Sequence, residues 1–144
     1  MSPEDPCSHE ERRAVELLTR VPYGRLATSM RAILTVAPAR HVVSDGCVLL
    51  RLHGGPGYHQ ACAGSVVAYG ADNFNSGAAV PWSVQFTGTA ELIQPTDAQI
   101  ESFGPTPHHV DGEPFEPVYM RIRPQFVTVH TLDYFEERHH RHAG

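Results

Sequence analysis

The fold of this chain is decided at residues 41–50, which read HVVSDGCVLL. Two runs rich in Val and Leu flank the dipeptide Asp45-Gly46. Asp-Gly favours a two-residue hairpin turn, because such a turn requires positive φ angles that Gly adopts freely and Asp tolerates. We therefore predict an antiparallel hairpin here, whose second strand continues to residue 52.

Further strands are predicted on both sides of this hairpin. Residues 83–93 alternate between apolar and polar side chains, which is typical of a half-buried strand. Residues 118–129 contain Pro124, which predicts a bulge or a sheet edge because proline donates no ladder hydrogen bond. The remaining extended segments are 25–30, 33–43 (interrupted by Pro38) and 66–69. About six strands predict a small β-barrel or a β-sandwich.

Short helices accompany the strands. Two capping boxes, in which a hydroxyl residue and a Glu or Gln three positions later cap each other, predict helix starts. They lie at Ser8 with Glu11 and at Thr96 with Gln99. A third short helix is expected at 58–63, whereas the Pro-rich residues 105–117 predict no regular structure.

Length and composition exclude several classes of protein. The 144 residues support one domain, which we expect at 1–135, followed by a flexible, His-rich tail at 136–144. All 11 basic residues are Arg, which excludes Schiff-base lysine chemistry and the lysine of a nucleotide phosphate loop. The net charge of −5 and the lack of a basic run argue against nucleic-acid binding.

The cysteines point to a reducing compartment. Cys7, Cys47 and Cys62 form no CxxC pair and leave an odd thiol. The sequence shows no apolar leader and no run of the roughly 20 apolar residues that a membrane helix needs. We therefore expect a cytoplasmic protein with no membrane partner.

A glycine-rich loop follows the second hairpin strand. Gly54, Gly55 and Gly57 precede the short helix at 58–63, and free backbone N–H groups at a helix start favour an anion. Arg51, at the strand end, adds a bidentate donor for phosphate. The alternative is that this segment is simply a tight turn.

No catalytic or metal motif accompanies the loop. His53 and His59 flank it, but a third ligand at a suitable spacing is missing, so we predict no metal site. The histidines of the tail make no preorganised site. Trp82 is expected in the core or in a subunit interface; the alternative is that it forms a wall for a planar ligand.

Five short motifs stand in a fixed order along the chain. They are YGRLATS at 23–29, LLR at 49–51, GSVVAYGAD at 64–72, WSVQFTGTA at 82–90 and MRIRP at 120–124. In order and spacing, from about residue 10 to residue 130, they resemble the pyridoxamine 5′-phosphate oxidase-like family of FMN-binding split barrels.

The resemblance implies a mainly β fold, with 1–135 as an FMN-binding, six-stranded split β-barrel with short peripheral helices. It also implies a homodimer with the flavin in a groove made by both subunits. Family members hold the phosphate with an arginine at a strand end and a lysine before the next helix. Arg51 matches the arginine, whereas Gly57 stands at the lysine position and Leu52 at that of a threonine. We expect the subunit contact on the strand that carries Trp82, Val84 and Phe86.

The resemblance therefore predicts an FMN-dependent oxidoreductase that acts on a small-molecule redox substrate. The predicted cofactor-binding residues are Arg51, Gly55, Gly57, Tyr58, His59, Trp82 and Ser83. Arg51 and the amides of residues 55–58 hold the phosphate in this hypothesis. Tyr58 stacks and His59 donates a hydrogen bond, while Trp82 and Ser83 line the groove from the same or the opposite subunit.

Other hypotheses stay open. Related split barrels bind the deazaflavin F420, and Arg25, Arg31 and Arg40 are candidates for its anionic tail; other relatives bind haem. A third hypothesis is a non-catalytic binding or sensing protein whose cofactor site is degenerate. The glycine at position 57 and the acidic net charge favour that reading.

Overall fold

The first three strands form a meander of β1 (Tyr23–Met30), β2 (Ile33–Ser44) and β3 (Cys47–His53). The computed structural model describes residues 8–134. Asp45 and Gly46 join β2 to β3 with φ angles of 52° and 75°, so the predicted hairpin is confirmed. Arg31 and Ala32 join β1 to β2, also with positive φ, in a turn that lacks the usual glycine.

The later strands close the sheet into a barrel. They are β4 (Val66–Asp72), β5 (Trp82–Leu92) and β8 (Pro117–Thr131); β6 (His109–Val110) and β7 (Glu113–Pro114) precede β8 in the chain and form a separate two-stranded sheet. The barrel order is β1-β2-β3-β8-β5-β4, and neighbouring strands are antiparallel. The predicted mainly β fold with a six-stranded barrel is confirmed, and the sandwich alternative is excluded.

Three short helices lie outside the barrel: α1 (His9–Leu18), α2 (Tyr58–Cys62) and α3 (Asp97–Phe103). Both predicted capping boxes are present. The Glu11 N–H donates to Ser8 Oγ at 3.1 Å and the Ser8 N–H donates to Glu11 Oε1 at 3.0 Å, an arrangement that Thr96 and Gln99 repeat. None of the helices within residues 8–134 has the length and apolar character to cross a membrane.

Alternate residues of the strands fill the barrel interior, because successive side chains of a strand point to opposite faces. Leu26, Tyr69, Met120 and Ile122 are among the buried side chains. Trp82, Val84 and Phe86 belong to the same interior and are no more than 6% exposed. The expectation that they form the subunit contact is therefore wrong. Trp82 instead lies in the core, which was the other position predicted for it.

A bulge lies where β5 crosses β8. The register shifts between Thr87 and Gly88, opposite Pro124, which confirms the irregularity that this proline predicts. Glycine is required at position 88 because a Cβ there would overlap the carbonyl oxygen of Arg123.

The outer face of the barrel exposes apolar side chains. One row of cross-strand neighbours runs over this face from β2 through β1, β4 and β5 to β8; its members are Val36, Ala27, Ala68, Thr87 and Phe126. Val36 is 57% exposed and Phe126 70% exposed. Leu34 and Val66, two residues along their strands, extend this apolar outer face, and both are exposed.

Residues 105–117 contain regular structure that the sequence analysis missed. The strands β6 and β7 form a hairpin that turns at Asp111-Gly112 and stands outside the barrel. Each strand has only two residues, too few for a periodic pattern. The predicted tail at 136–144 and Cys7 lie outside the described residues.

Candidate functional site

Two arginines lie side by side on the outside of the barrel. Arg40 of β2 is directly opposite Arg51 of β3, and the row continues to Tyr23 on β1 and Tyr119 on β8. Directly opposite residues of an antiparallel pair project to the same face. The neighbours of Arg51 in sequence, Leu50 and Leu52, belong to the barrel interior, so this row faces outward.

Backbone carbonyls at the end of α3 accept hydrogen bonds from both guanidinium groups. Arg51, only 3% exposed, donates to the Gly104 carbonyl at 2.9 Å and to the Pro105 carbonyl at 3.0 Å, and its guanidinium lies 5.3 Å from the Phe103 ring centre. Arg40 donates to the Ser102 carbonyl at 3.4 Å and also to carbonyls of Pro22 and His41. The bonds to Ser102 and Gly104 satisfy carbonyls that the end of α3 leaves without helical partners.

In the described part of the chain, the arginine pair has no acidic partner. Within residues 8–134, no carboxylate lies at ion-pair distance from either guanidinium. Like charges directly opposite each other on a sheet are unfavourable unless something compensates them. The carbonyls accept hydrogen bonds but carry no net charge, so the pair is suited to an added anion such as a phosphate or a carboxylate.

A small cavity of about 130 Å³ opens beside the pair. It is lined by Tyr23, Pro38, Ala39, Arg40, Arg51, Leu52, His53, Pro107, Val110 and Phe115. Barrel strands therefore form one wall and the segment around the β6–β7 hairpin forms the other. Apolar walls beside two cations suit a ligand that is both planar and anionic.

His53 connects the barrel wall of the cavity to the segment that follows the β6–β7 hairpin. Its Nδ1 accepts a hydrogen bond from the Glu116 N–H at 3.1 Å, and the Gly54 N–H donates to the Glu116 carbonyl at 2.8 Å. The Phe115 ring lies against the His53 ring, with 5.5 Å between their centres. Sequence reasoning gave His53 no such contact, because its partners come from the region where no structure was predicted.

The other predicted site residues line separate spaces. Gly57 and Tyr58 border an open groove of about 910 Å³ between α2 and the β1–β2 turn. Gly57 has a φ of 82°, which favours glycine, and precedes α2 as its N-cap. Gly55 packs beside the His53 ring. His59 lines a third pocket of about 400 Å³, and its Nδ1 is buried without a hydrogen-bond partner among the described residues.

Trp82 and Ser83 lie away from this group within one chain. The loop after α2 reaches the far end of β5, where the Gly64 N–H donates to the Ala90 carbonyl at 2.8 Å. Trp82 and Ser83 open the same strand, and Ser83 pairs with Asp72 and His130. One protomer thus does not bring them to Arg51, and their predicted role from the opposite subunit stays a prediction.

A second polar cluster is buried inside the barrel. His41 lies with Nε2 at 2.9 Å from the Leu18 carbonyl and Nδ1 at 2.5 Å from the Tyr69 hydroxyl. Burial lowers the pKa of His41 and raises the pKa of Tyr69, so both are neutral at pH 7. Burial likewise raises the pKa of Cys62, which leaves it an unreactive thiol. Residues 8–134 contain no cluster of His, Cys, Asp and Glu fit for a metal ion.

Comparisons with known proteins agree with this architecture. The family model described as pyridoxamine 5′-phosphate oxidase matches residues 10–131. No curated protein shows significant sequence similarity. Among solved structures, the FAD binding protein from Mycobacterium smegmatis is similar, with a TM-score of 0.66, 22% identity, and coverage of 88% of this chain and 98% of the other.

Two further solved structures share the fold. One is a putative pyridoxamine 5′-phosphate oxidase from Corynebacterium glutamicum, with a TM-score of 0.62, 22% identity, and coverage of 85% of this chain and 89% of the other. The other is the FAD and heme binding protein from Mycobacterium smegmatis, with a TM-score of 0.64, 15% identity, and coverage of 92% and 78%. On the match of the family model across residues 10–131, this chain belongs to the pyridoxamine 5′-phosphate oxidase family.

Proposed function

We propose that the protein is a flavin-binding oxidoreductase that uses FMN and works as a homodimer on a small-molecule redox substrate. One observation carries this proposal: the arginine pair, which has no acidic partner among residues 8–134, borders an apolar cavity in a chain of this family. A bound flavin supplies hydride transfer, for which the protein needs no acid or base of its own.

The residues at the pair fit a phosphate group. Arg51 uses two N–H groups on the carbonyls of Gly104 and Pro105, and its other N–H donors have no protein acceptor within the described residues. Arg40 adds a second guanidinium from the neighbouring strand. We assign phosphate binding to Arg51, as the sequence predicts, with Arg40 beside it. The apolar walls orient the ligand and exclude water.

The cavity supports a site completed by a second copy of the chain. At about 130 Å³ it is smaller than the roughly 300–1,000 Å³ of sites that enclose a drug-sized ligand. A flavin held by its phosphate at the arginine pair would therefore need further walls for its rings, which a second protomer could supply. The apolar outer face of Leu34, Val36, Val66 and Phe126 is suited to a two-fold contact between copies.

Titration with cofactors tests the proposal. FMN added to the purified protein is expected to lose fluorescence on binding and to give a yellow complex. FAD, haemin and the deazaflavin F420 are titrated side by side, since the family fold admits each. Stronger binding of one of these than of FMN would reassign the cofactor. A colourless protein that takes up none of them would instead support a binding or sensing role.

A further inference from the structure

His53 stands in the candidate site with a defined proton position. The Glu116 N–H donates to its Nδ1, so this nitrogen carries a lone pair. In a neutral imidazole the proton must then be on Nε2. The second hydrogen bond, from the Gly54 N–H to the Glu116 carbonyl, fixes the donor's backbone, and Phe115 fixes the ring plane.

The Nε2–H edge of the His53 ring lies beside the backbone of Gly55, where a Cβ on residue 55 would meet Nε2. The His53 side chain also lines the cavity of the arginine pair. No acceptor for this N–H lies among residues 8–134. The fully buried polar atom without a partner in that part of the chain is on His59, so Nε2 of His53 is not completely enclosed.

His53 and Arg51 share one face of β3. They are two residues apart on the strand, so their side chains project to the same side, and both line the cavity with Arg40. We infer that His53 is a third donor to the anionic group held by this arginine pair, and that it binds a phosphate oxygen through Nε2–H. The identity of the ligand in this inference rests on the proposed function. The tautomer of His53 does not, since it follows from the hydrogen bond with Glu116.

Two matched variants distinguish phosphate binding by His53 Nε2 from the structural hydrogen bond between the Glu116 N–H and His53 Nδ1. In His53→Asn the side-chain oxygen still accepts the Glu116 N–H, but the donor at Nε2 is lost. In His53→Gln the amide nitrogen can reach the Nε2 position, but the acceptor is lost. We expect His53→Asn to weaken FMN binding about tenfold while the Glu116 amide stays protected from hydrogen exchange. His53→Gln is expected to keep FMN affinity and lose that protection.

Riboflavin, which has no phosphate, is the control ligand and should bind the parent and His53→Asn equally. Equal loss of FMN affinity in both variants would mean that His53 acts only by holding the Glu116 segment in place. That result would overturn the inference.

The test also works if FMN is not the ligand. Long-range ¹⁵N–¹H spectra of the parent report the His53 tautomer, and inorganic phosphate is expected to shift its Nε2–H resonance. A proton on Nδ1, or a resonance that phosphate leaves unmoved, overturns the inference whatever happens with flavins. A phosphate shift in a protein that binds no FMN would support the inference and contradict the proposed function.

Discussion

The Arg51 guanidinium donates to the Gly104 carbonyl at 2.9 Å, so a side chain of β3 closes the end of α3. The same guanidinium lines the candidate cavity. Arg51 therefore joins two tasks, helix attachment and anion binding, and substitutions there should affect stability and ligand affinity through different atoms.

Arg51→Ala is expected to weaken FMN binding by one to two orders of magnitude, because a charge-assisted hydrogen bond contributes about 1.5–3 kcal/mol. Arg51→Lys should recover only part of this, since an ammonium group lacks the planar fork. Riboflavin affinity should change little in either variant. Flavin fluorescence titration measures the FMN and riboflavin affinities of the parent and both variants. An unchanged FMN affinity in Arg51→Ala would place the phosphate elsewhere.

The same substitution should also lower the free energy of unfolding. Arg51→Ala leaves the partly buried carbonyl of Gly104 and the carbonyl of exposed Pro105 without their donor, which costs about 0.5–1.5 kcal/mol per hydrogen bond. Urea denaturation without flavin measures this loss. Ile100→Ala on the exposed side of α3 is the control and should cost less.

Gly88→Ala should destabilise the barrel by about 1–3 kcal/mol, because the new Cβ meets the Arg123 carbonyl, a backbone group that cannot rotate away. Gly70→Ala on β4 is the matched control. Its Cβ would lie 3.5 Å from the Val84 carbonyl, an ordinary contact, so its unfolding free energy should stay within about 0.5 kcal/mol. Equal stabilities of the two variants would contradict the bulge geometry.

Phe126→Glu is expected to convert a homodimer into a monomer, since it places a charge in the apolar outer face. Light scattering should give twice the 15.9 kDa chain mass for the parent and 15.9 kDa for the variant. Ile100→Glu makes the same chemical change on α3, away from that face, and should stay dimeric. A monomeric parent would refute the dimer outright.

Acid should destabilise the protein partly through His41. Because burial lowers its folded pKa, the unfolded chain takes up a proton below about pH 6.5 that folded His41 does not. The free energy of unfolding therefore falls as the pH drops below 6.5, by at most about 1.4 kcal/mol per pH unit from this group. The positive charge of Arg40 also lowers the pKa of His41 and so acts in the same direction.

The check is the slope of unfolding free energy between pH 7 and pH 5. His41→Gln should flatten this slope relative to the parent, whereas His130→Gln, on an exposed position of β8, should not. Parallel slopes in all three proteins would exclude His41 as a source of acid sensitivity.

Local chemistry explains why much of the fold was predictable. Asp45-Gly46 and the capping box at Ser8 act within a few residues, so the sequence alone identifies them. Pro124 indicated its bulge because proline cannot join a ladder. The turn at Arg31-Ala32 carries no such signal, since its positive φ angles are imposed by the pairing of the flanking strands.

The site was less predictable because it is built from distant segments. Arg51 could be singled out by its motif, but its carbonyl partners at residues 104 and 105 follow from packing of α3. Arg40 becomes its neighbour only through strand register. The fastening of His53 to Glu116 joins residues that no local pattern connects.

The β6–β7 hairpin has a consequence for how such proteins diversify. It supplies one cavity wall yet contributes no hydrogen bond to the closed barrel ladder. Insertions, deletions and substitutions there can accumulate during evolution with little effect on the scaffold, as is common for loops carried by rigid folds. If the cavity binds the ligand proposed above, exchange of this short segment would change ligand preference, and a library confined to residues 106–114 would test this while the barrel is preserved.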